Sequence, residues 1–135
     1  MCLFCSIANK EVPAEIIYED EKTLAFLDIH PRAPGHTMVI PKAHSANLLD
    51  LGEKDIGPLF GAVRAVEKRI LEVLRPDGFT VGMNQGRAAG QEVDHLHVHI
   101  LPRFSNDGGR AIQGLINNLP KESLKEMAEK LSIKK

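Results

Sequence analysis

Three histidines alternate with apolar residues in His95-Leu96-His97-Val98-His99-Ile100-Leu101, and they are half of the six histidines in the chain. Neutral imidazole is a nucleophile near neutral pH, and an imidazole N–H donates to anionic oxygens. The run reads as a strand over Asp94 to Pro102, in which successive side chains point to opposite faces. His95, His97 and His99 then share one face, and Leu96, Val98 and Ile100 form the other. A merely solvated strand face is more often built from Lys, Thr and Glu, so three histidines argue for chemistry. One metal for all three fits poorly. Residues two apart on a strand are separated by ~6.6 Å at Cα, whereas zinc wants its nitrogens at ~2.0–2.1 Å from one point. A metallohydrolase with the three as ligands is therefore disfavoured. The run suits spaced roles along an extended substrate such as a polyphosphate.

A second constellation is Cys2-x-x-Cys5, the only two cysteines of the chain. In a reducing compartment this spacing reads as half of a metal site or as a redox pair. A redox pair normally sits between a strand and a helix, and the position at the N-terminus disfavours it. Asp28 and His30 flank a loop, His30-Pro31-Arg32-Ala33-Pro34-Gly35. There Asp28 reads either as a strand-end turn cap or as a ligand-binding carboxylate. His30 reads as solvated, without a role.

The elements that must position these residues follow from periodicity and punctuation. A short helix over Phe4–Asn9 precedes Pro13. Strands are predicted over Glu15–Glu19 and Thr23–Asp28, paired as a hairpin through Asp20-Glu21-Lys22, and over Thr37–Pro41. Ile56, Leu59, Phe60, Val63, Val66, Ile70 and Leu74 recur at helical spacing and define a long central helix. Pro58 is best tolerated in a first turn, which puts the start near Asp55, and Arg75-Pro76-Asp77-Gly78 ends it. A fourth strand is predicted over Phe79–Asn84, then a loop with Gly86 and Gly90, then the histidine strand. Leu124, Met127, Ala128 and Leu131 outline a C-terminal helix after a Gly-rich stretch. The predicted fold class is α+β, a five-stranded, mainly antiparallel sheet with one long central helix and one C-terminal helix. One domain spans residues 1–135, with its core over about 2–103.

Seventeen basic residues face eighteen acidic ones, so no global field favours nucleic acid. The one basic run, Lys130 to Lys135, reads as a solvated helix end. No apolar stretch approaches the ~20 residues needed to span a bilayer. No export signal is visible, so a cytoplasmic location is expected, with no membrane partner.

The histidine run resembles the His-φ-His-φ-His-φ-φ signature (φ apolar) of the histidine triad (HIT) superfamily. Leu24-Ala25-Phe26-Leu27-Asp28-Ile29, with Pro31 and Ala33-Pro34-Gly35-His36 after it, is similar to that family's nucleoside-binding strand and loop. Val39-Ile40-Pro41-Lys42-Ala43-His44 is similar to its next strand. Asn84-Gln85-Gly86 with Gly90-Gln91 is similar to its phosphate-side loop. The match runs roughly from Cys2 to Arg103, with five pieces in order.

The resemblance implies an enzyme in which His97 attacks an α-phosphorus and forms a covalent nucleotidyl-histidine, which then releases a nucleoside monophosphate. His99 would contact the phosphate, and His36 would stand beside the site. Asp28 would bind ribose, with Phe26 and Ile29 at the base. Asn84, Gly90 and Gln91 would lie on the phosphate side. Leu101-Pro102-Arg103 resembles the dinucleoside polyphosphate hydrolase branch and mixed microbial members, and dinucleoside polyphosphates or nucleoside phosphoramidates would be the substrates. The resemblance also implies a purine nucleotide partner, a homodimer, and a structural zinc held by Cys2, Cys5, His44 and His95, as in microbial members. One position departs: Glu92 stands where the family often has Ser or Thr, three residues before the first histidine. A carboxylate near phosphate repels it unless protonated or turned away. The competing function is a non-catalytic nucleotide-binding or interaction module on the same fold. An intact His97 favours the enzyme, since a pure binder needs no nucleophile.

Overall fold

Asp20 closes the first hairpin. Its Oδ1 accepts from the amides of Lys22 and Thr23, at 2.9 and 2.8 Å, an Asx-type turn that reverses the chain between two β-rich segments. The computed structural model describes residues 1–134, so Lys135 of the basic run lies outside the described residues. The elements are α1 (Leu3–Ala8), β1 (Ile16–Glu19), β2 (Thr23–Leu27), β3 (Thr37–Pro41), α2 (Glu53–Leu74), β4 (Gly78–Gly82), β5 (Val98–Arg103) and α3 (Leu124–Leu131). Short 3₁₀ turns lie at Arg87–Ala89 and Ile112–Leu115. The five strands form one sheet in the order β1-β2-β3-β5-β4, and every adjacent pair is antiparallel. The α+β class and the five-stranded antiparallel sheet are as the sequence predicts.

Two apolar clusters cover the two faces of the sheet. On one face, Leu59, Ala62, Val63, Val66 and Ile70 of α2 pack on Ala25, Val39, Leu96, Val98 and Ile100. On the other, Phe4 and Ile7 of α1 pack on Leu24, Phe26, Met38 and Ile40. α1 covers only the β2–β3 half of its face. The buried stripe of α2 is narrower than predicted, because Ile56, Phe60 and Leu74 are 38–40% exposed.

Two boundaries differ instructively. α2 begins at Glu53 rather than near Asp55, after Gly52, whose carbonyl accepts the Asp55 amide. Pro58 therefore lies in the second turn and leaves the Lys54 carbonyl without its helical donor. The fifth strand begins at Val98, not Asp94. Its ladder stops at Val98, which pairs with Val39 on β3, and at His99, which pairs with Gly82, the last residue of β4; β3 runs on to Pro41 paired only with β2. His95 and His97 thus precede the strand. Their sidedness persists nonetheless, since Leu96 joins the α2 core while both histidine rings meet Phe4 of α1.

The loop between β2 and β3 is held by one glycine. Gly35 has φ +84°, and a Cβ there would come within 2.7 Å of Leu74 Cδ1 and 3.3 Å of Pro102 Cγ. Only glycine meets both demands. The loop thereby packs against the end of α2 and β5 and sets His36 beside β5.

Candidate active site and metal cluster

The histidine run forms two side-chain clusters, one at each end. At the first, the Cys2 and Cys5 thiols and the Nδ1 atoms of His44 and His95 converge. Cys2 Sγ and Cys5 Sγ lie 3.3 and 3.5 Å from His95 Nδ1, Cys5 Sγ lies 3.4 Å from His44 Nδ1, and the two Nδ1 atoms are 3.3 Å apart. A tetrahedron built with Zn–S of ~2.3 Å and Zn–N of ~2.0–2.1 Å has edges of roughly 3.3–3.8 Å. These four residues therefore fit zinc. The next shell agrees. The other nitrogen of His95, Nε2, donates to the Pro41 carbonyl at 2.8 Å. A carbonyl only accepts, so Nε2 carries the proton and the Nδ1 lone pair faces the cluster, the usual arrangement behind a metal-ligating histidine. Burial holds the His95 pKa below its ordinary value, which favours the neutral ring. Burial, with Cys2 beside it, raises the thiol of Cys5.

The middle histidine is tied to the first. His97 Nδ1 donates to the backbone carbonyl of His95 at 2.8 Å. By the same logic Nδ1 holds the proton, and Nε2 is left with a lone pair. The ring is 93% buried and wedged between Phe4 and His99, with centroids 5.1 and 5.0 Å away. A desolvated, orientationally fixed imidazole with a free Nε2 is a nucleophile or general base in waiting.

The second cluster is Asp28, His36 and His99, whose ligating atoms lie within 4.8 Å of one another. His36 Nε2 is 2.9 Å from His99 Nδ1 and 3.5 Å from Asp28 Oδ2, and His36 Nδ1 accepts the backbone N–H of Arg32 at 3.1 Å. Asp28 Oδ1 also accepts the His30 amide at 2.9 Å. Asp28 is thus a turn cap and, through its second oxygen, a member of the cluster. Burial pushes His99 down to about 4. Burial also lowers His36, against the pull of Asp28. Both rings are neutral near pH 7.

The other predicted positions divide. Asn84 lines a pocket of about 350 Å³ with His99, Met83, Leu101, Arg110 and Leu115. Gln91 is buried and fully engaged: Nε2 donates to the Ala46 and Val93 carbonyls, and Oε1 accepts from the Gly86 amide. Gly90, at φ +97°, spends its amide on the Arg87 carbonyl, and the Gln91 amide goes to Gly86. These two residues shape the loop. Phe26 is 3% exposed in the core under α1, whereas Ile29 is 83% exposed beside the Asp28 loop. Glu92 is exposed and makes no side-chain hydrogen bond among the described residues. His30 is exposed.

Sequence reasoning missed the roof of the pocket. Arg103, on the His99 face of β5, donates to both Asp107 oxygens, at 2.7 and 3.0 Å, to Thr80 Oγ1 and to the Arg110 carbonyl. The Arg103 guanidinium holds the Asp107 carboxyl well below the usual range. Gly109 lies so close to the guanidinium that a Cβ would collide with it. The Asp-Gly-Gly spacing after the strand was the available signal.

A family model described as "HIT domain" matches residues 9–106. The adenosine 5'-monophosphoramidase hnt1 of Schizosaccharomyces pombe is 35% identical over 133 residues, covering 98% of this chain and 97% of its own. A HIT family protein from Bacillus subtilis superposes with a TM-score of 0.85 at 35% identity, covering 96% of this chain and 94% of its own. A Zn-bound histidine triad family protein from Mycobacterium smegmatis superposes with a TM-score of 0.74 at 39% identity, over 78% of this chain and 77% of its own. Sequence, fold and the spacing of the histidines agree, and the chain belongs to the HIT family.

Proposed function

We propose that this protein is a nucleotide hydrolase or nucleotidyl transferase in which His97 Nε2 attacks the α-phosphorus of a purine nucleoside-phosphate conjugate. The observation that carries this reading is the hydrogen bond from His97 Nδ1 to the His95 carbonyl, which leaves Nε2 unprotonated beside His99. The phosphoramidase name of the fission-yeast relative supports the reaction class. Attack forms a P–N bond and expels the leaving group. Water then cleaves that bond, releasing the nucleoside monophosphate and returning the electron pair to Nε2. Splitting one displacement into two lowers each barrier. His99 donates to the phosphate oxygens as charge gathers on them. Asp28 takes the ribose hydroxyls, Ile29 lies at the base, and Asn84 faces the leaving group. Phe26 acts from beneath, and Gly90 and Gln91 act by shaping their loop.

Zinc, in this reading, sits in the Cys2–Cys5–His44–His95 cluster with a full shell of protein ligands, and is structural. The Zn-bound neighbour supports it. The chain works as one domain in the cytoplasm, and no helix among the described residues is long and apolar enough to cross a membrane. It works as a homodimer, since β4 is a free sheet edge and Phe60, Leu71 and Val73 leave apolar surface on α2. Light scattering at micromolar concentration should return twice the chain mass, and the single-chain mass would reject the dimer.

The test of function is a substrate panel of adenosine phosphoramidate, a dinucleoside polyphosphate and a nucleotide sugar, scored for nucleoside monophosphate. The native chain should turn over at least one. His97→Ala should lower kcat by ~10³-fold or more while binding nucleotide, because attack and ground-state contact are separable. No turnover of any of the three, with nucleotide still bound, would favour the non-catalytic binding module.

A further inference from the structure

Asp28, His36 and His99 are a carboxylate and two imidazoles with ligating atoms inside one 4.8 Å sphere. By donor type this is a metal site, and it stands beside a Cys₂His₂ cluster that draws zinc to the same neighbourhood. A metal here would take His99 away from its substrate. We infer that the backbone N–H of Arg32 keeps this cluster metal-free, by forcing His36 to present a proton rather than a lone pair.

A neutral imidazole has one N–H and one lone pair. The Arg32 amide can only donate, and it lies 3.1 Å from His36 Nδ1. His36 Nδ1 is therefore the acceptor and Nε2 carries the hydrogen. That hydrogen faces His99 Nδ1 at 2.9 Å, closer than Asp28 Oδ2 at 3.5 Å. His99 Nδ1 is then an acceptor too, so its own hydrogen lies on Nε2. The chain Arg32 N–H, His36, His99 ends in an outward N–H from a neutral ring. That is the form a phosphate oxygen needs. It rests on the functional reading only for what the N–H donates to.

Metal binding requires the opposite. To ligate through Nε2, His36 must move its proton to Nδ1, where it would confront the Arg32 N–H, donor against donor. The cost is an amide left facing a second donor, together with a lost hydrogen bond. His99 would lose its proton source at the same time. The contrast with His95 lies in the backbone group behind the ring: a carbonyl, Pro41, in one case and an amide, Arg32, in the other. Arg32 is a positioning residue, acting by its main chain. Its side chain is exposed.

The zinc-loaded protein tests this in two ways. Nitrogen-15 correlation spectra of the imidazoles should show His36 and His99 protonated at Nε2, with an unprotonated Nδ1. A protonated Nδ1 on His36 overturns the inference. Cobalt(II) added to the same protein should find no second site, since thiolate-free cobalt absorption would reveal one. Arg32→Ala keeps the amide and should behave like the native chain in both measurements. Arg32→Pro deletes the donor and should gain one cobalt equivalent without thiolate charge transfer, lost again when Asp28→Asn is added. A folded Arg32→Pro protein that takes no second cobalt, or a native chain that takes it equally well, overturns the inference. The spectra decide the question even where Arg32→Pro fails to fold. None of these readouts uses turnover, so a chain inactive on every nucleotide would refute the proposed reaction and leave this result standing.

Discussion

At one end of the histidine run, His95 gives its Nε2–H to the Pro41 carbonyl and turns a lone pair toward two thiols. At the other, His36 receives the Arg32 N–H and turns a hydrogen toward His99. The side chain is the same, the burial is similar, and both clusters contain enough donors for a metal. What separates them is one backbone group behind each ring. His97 lies between and follows the first pattern, through the His95 carbonyl, which leaves the lone pair on Nε2, outside the metal-ligand cluster. The proposed zinc ligand His95 and the proposed nucleophile His97 are thus joined by a single hydrogen bond, while the proposed phosphate donor His99 is governed from a different loop.

The sharpest way to probe this division is to remove the donor. His99→Ala should reduce kcat by ~10²–10³-fold, the scale of one oxyanion-type donor, with zinc content unchanged in metal analysis. Unchanged kcat would return His99 to a merely polar strand position. A loss of zinc would break the separation between the clusters.

Removing the thiols attacks the other end. Metal analysis of the native chain should give roughly one zinc, and Cys2→Ser with Cys5→Ser should abolish it. The melting temperature should fall by on the order of 10 °C, because α1 loses its anchor at a cost of ~2–3 kcal/mol. Activity should remain measurable in the folded protein. Zinc that survives the double substitution would return His95 to the active-site face.

The smallest effect is the response to acid. His36 and His99 titrate below their unfolded value of ~6.5, His99 at about 4. The unfolded chain therefore binds more protons between those values. Stability conferred by the neutral rings is complete above ~6.5 and is lost as pH falls toward 4. Thermal melts should decline over that interval and be flat just above it, and His99→Ala should shallow the decline. Melts independent of pH from 7 to 4.5 would show that these rings are not buried neutral.

Much of this was legible in the sequence, for identifiable reasons. Alternation placed Leu96, Val98 and Ile100 opposite the histidines, and that holds even where His95 and His97 leave the ladder. Of the four metal-ligand candidates, Cys2 and Cys5 follow from residue type and spacing, while His44 and His95 follow from the family resemblance. Side chains that bond to backbone were not legible. Gln91 reads as a phosphate-side contact and proves to be the internal brace of its loop, because nothing in the letter Q tells which carbonyls will be near. Ile29 and Phe26 read as a pair at the base, yet these two positions, three residues apart across a strand end, separate into exposed and buried. The tautomers were out of reach for the same reason: they are set by Pro41, His95 and Arg32 through main-chain atoms that every residue possesses. Arg103 closes the recognised match, but its clamp partner Asp107 lay beyond it, although the Asp-Gly-Gly spacing there is a turn signal.

The central claim is that His97, and neither neighbour, forms the bond to phosphorus. Rapid quenching of the native protein with a nucleotide substrate, under conditions that spare a P–N bond, followed by peptide mass spectrometry, tests it most directly. A nucleotidyl adduct should appear on the His95–Arg103 peptide, localised to His97, forming and decaying at rates compatible with turnover and missing from His97→Ala. An adduct on His99 or His36, or turnover with no adduct at any time, would contradict it.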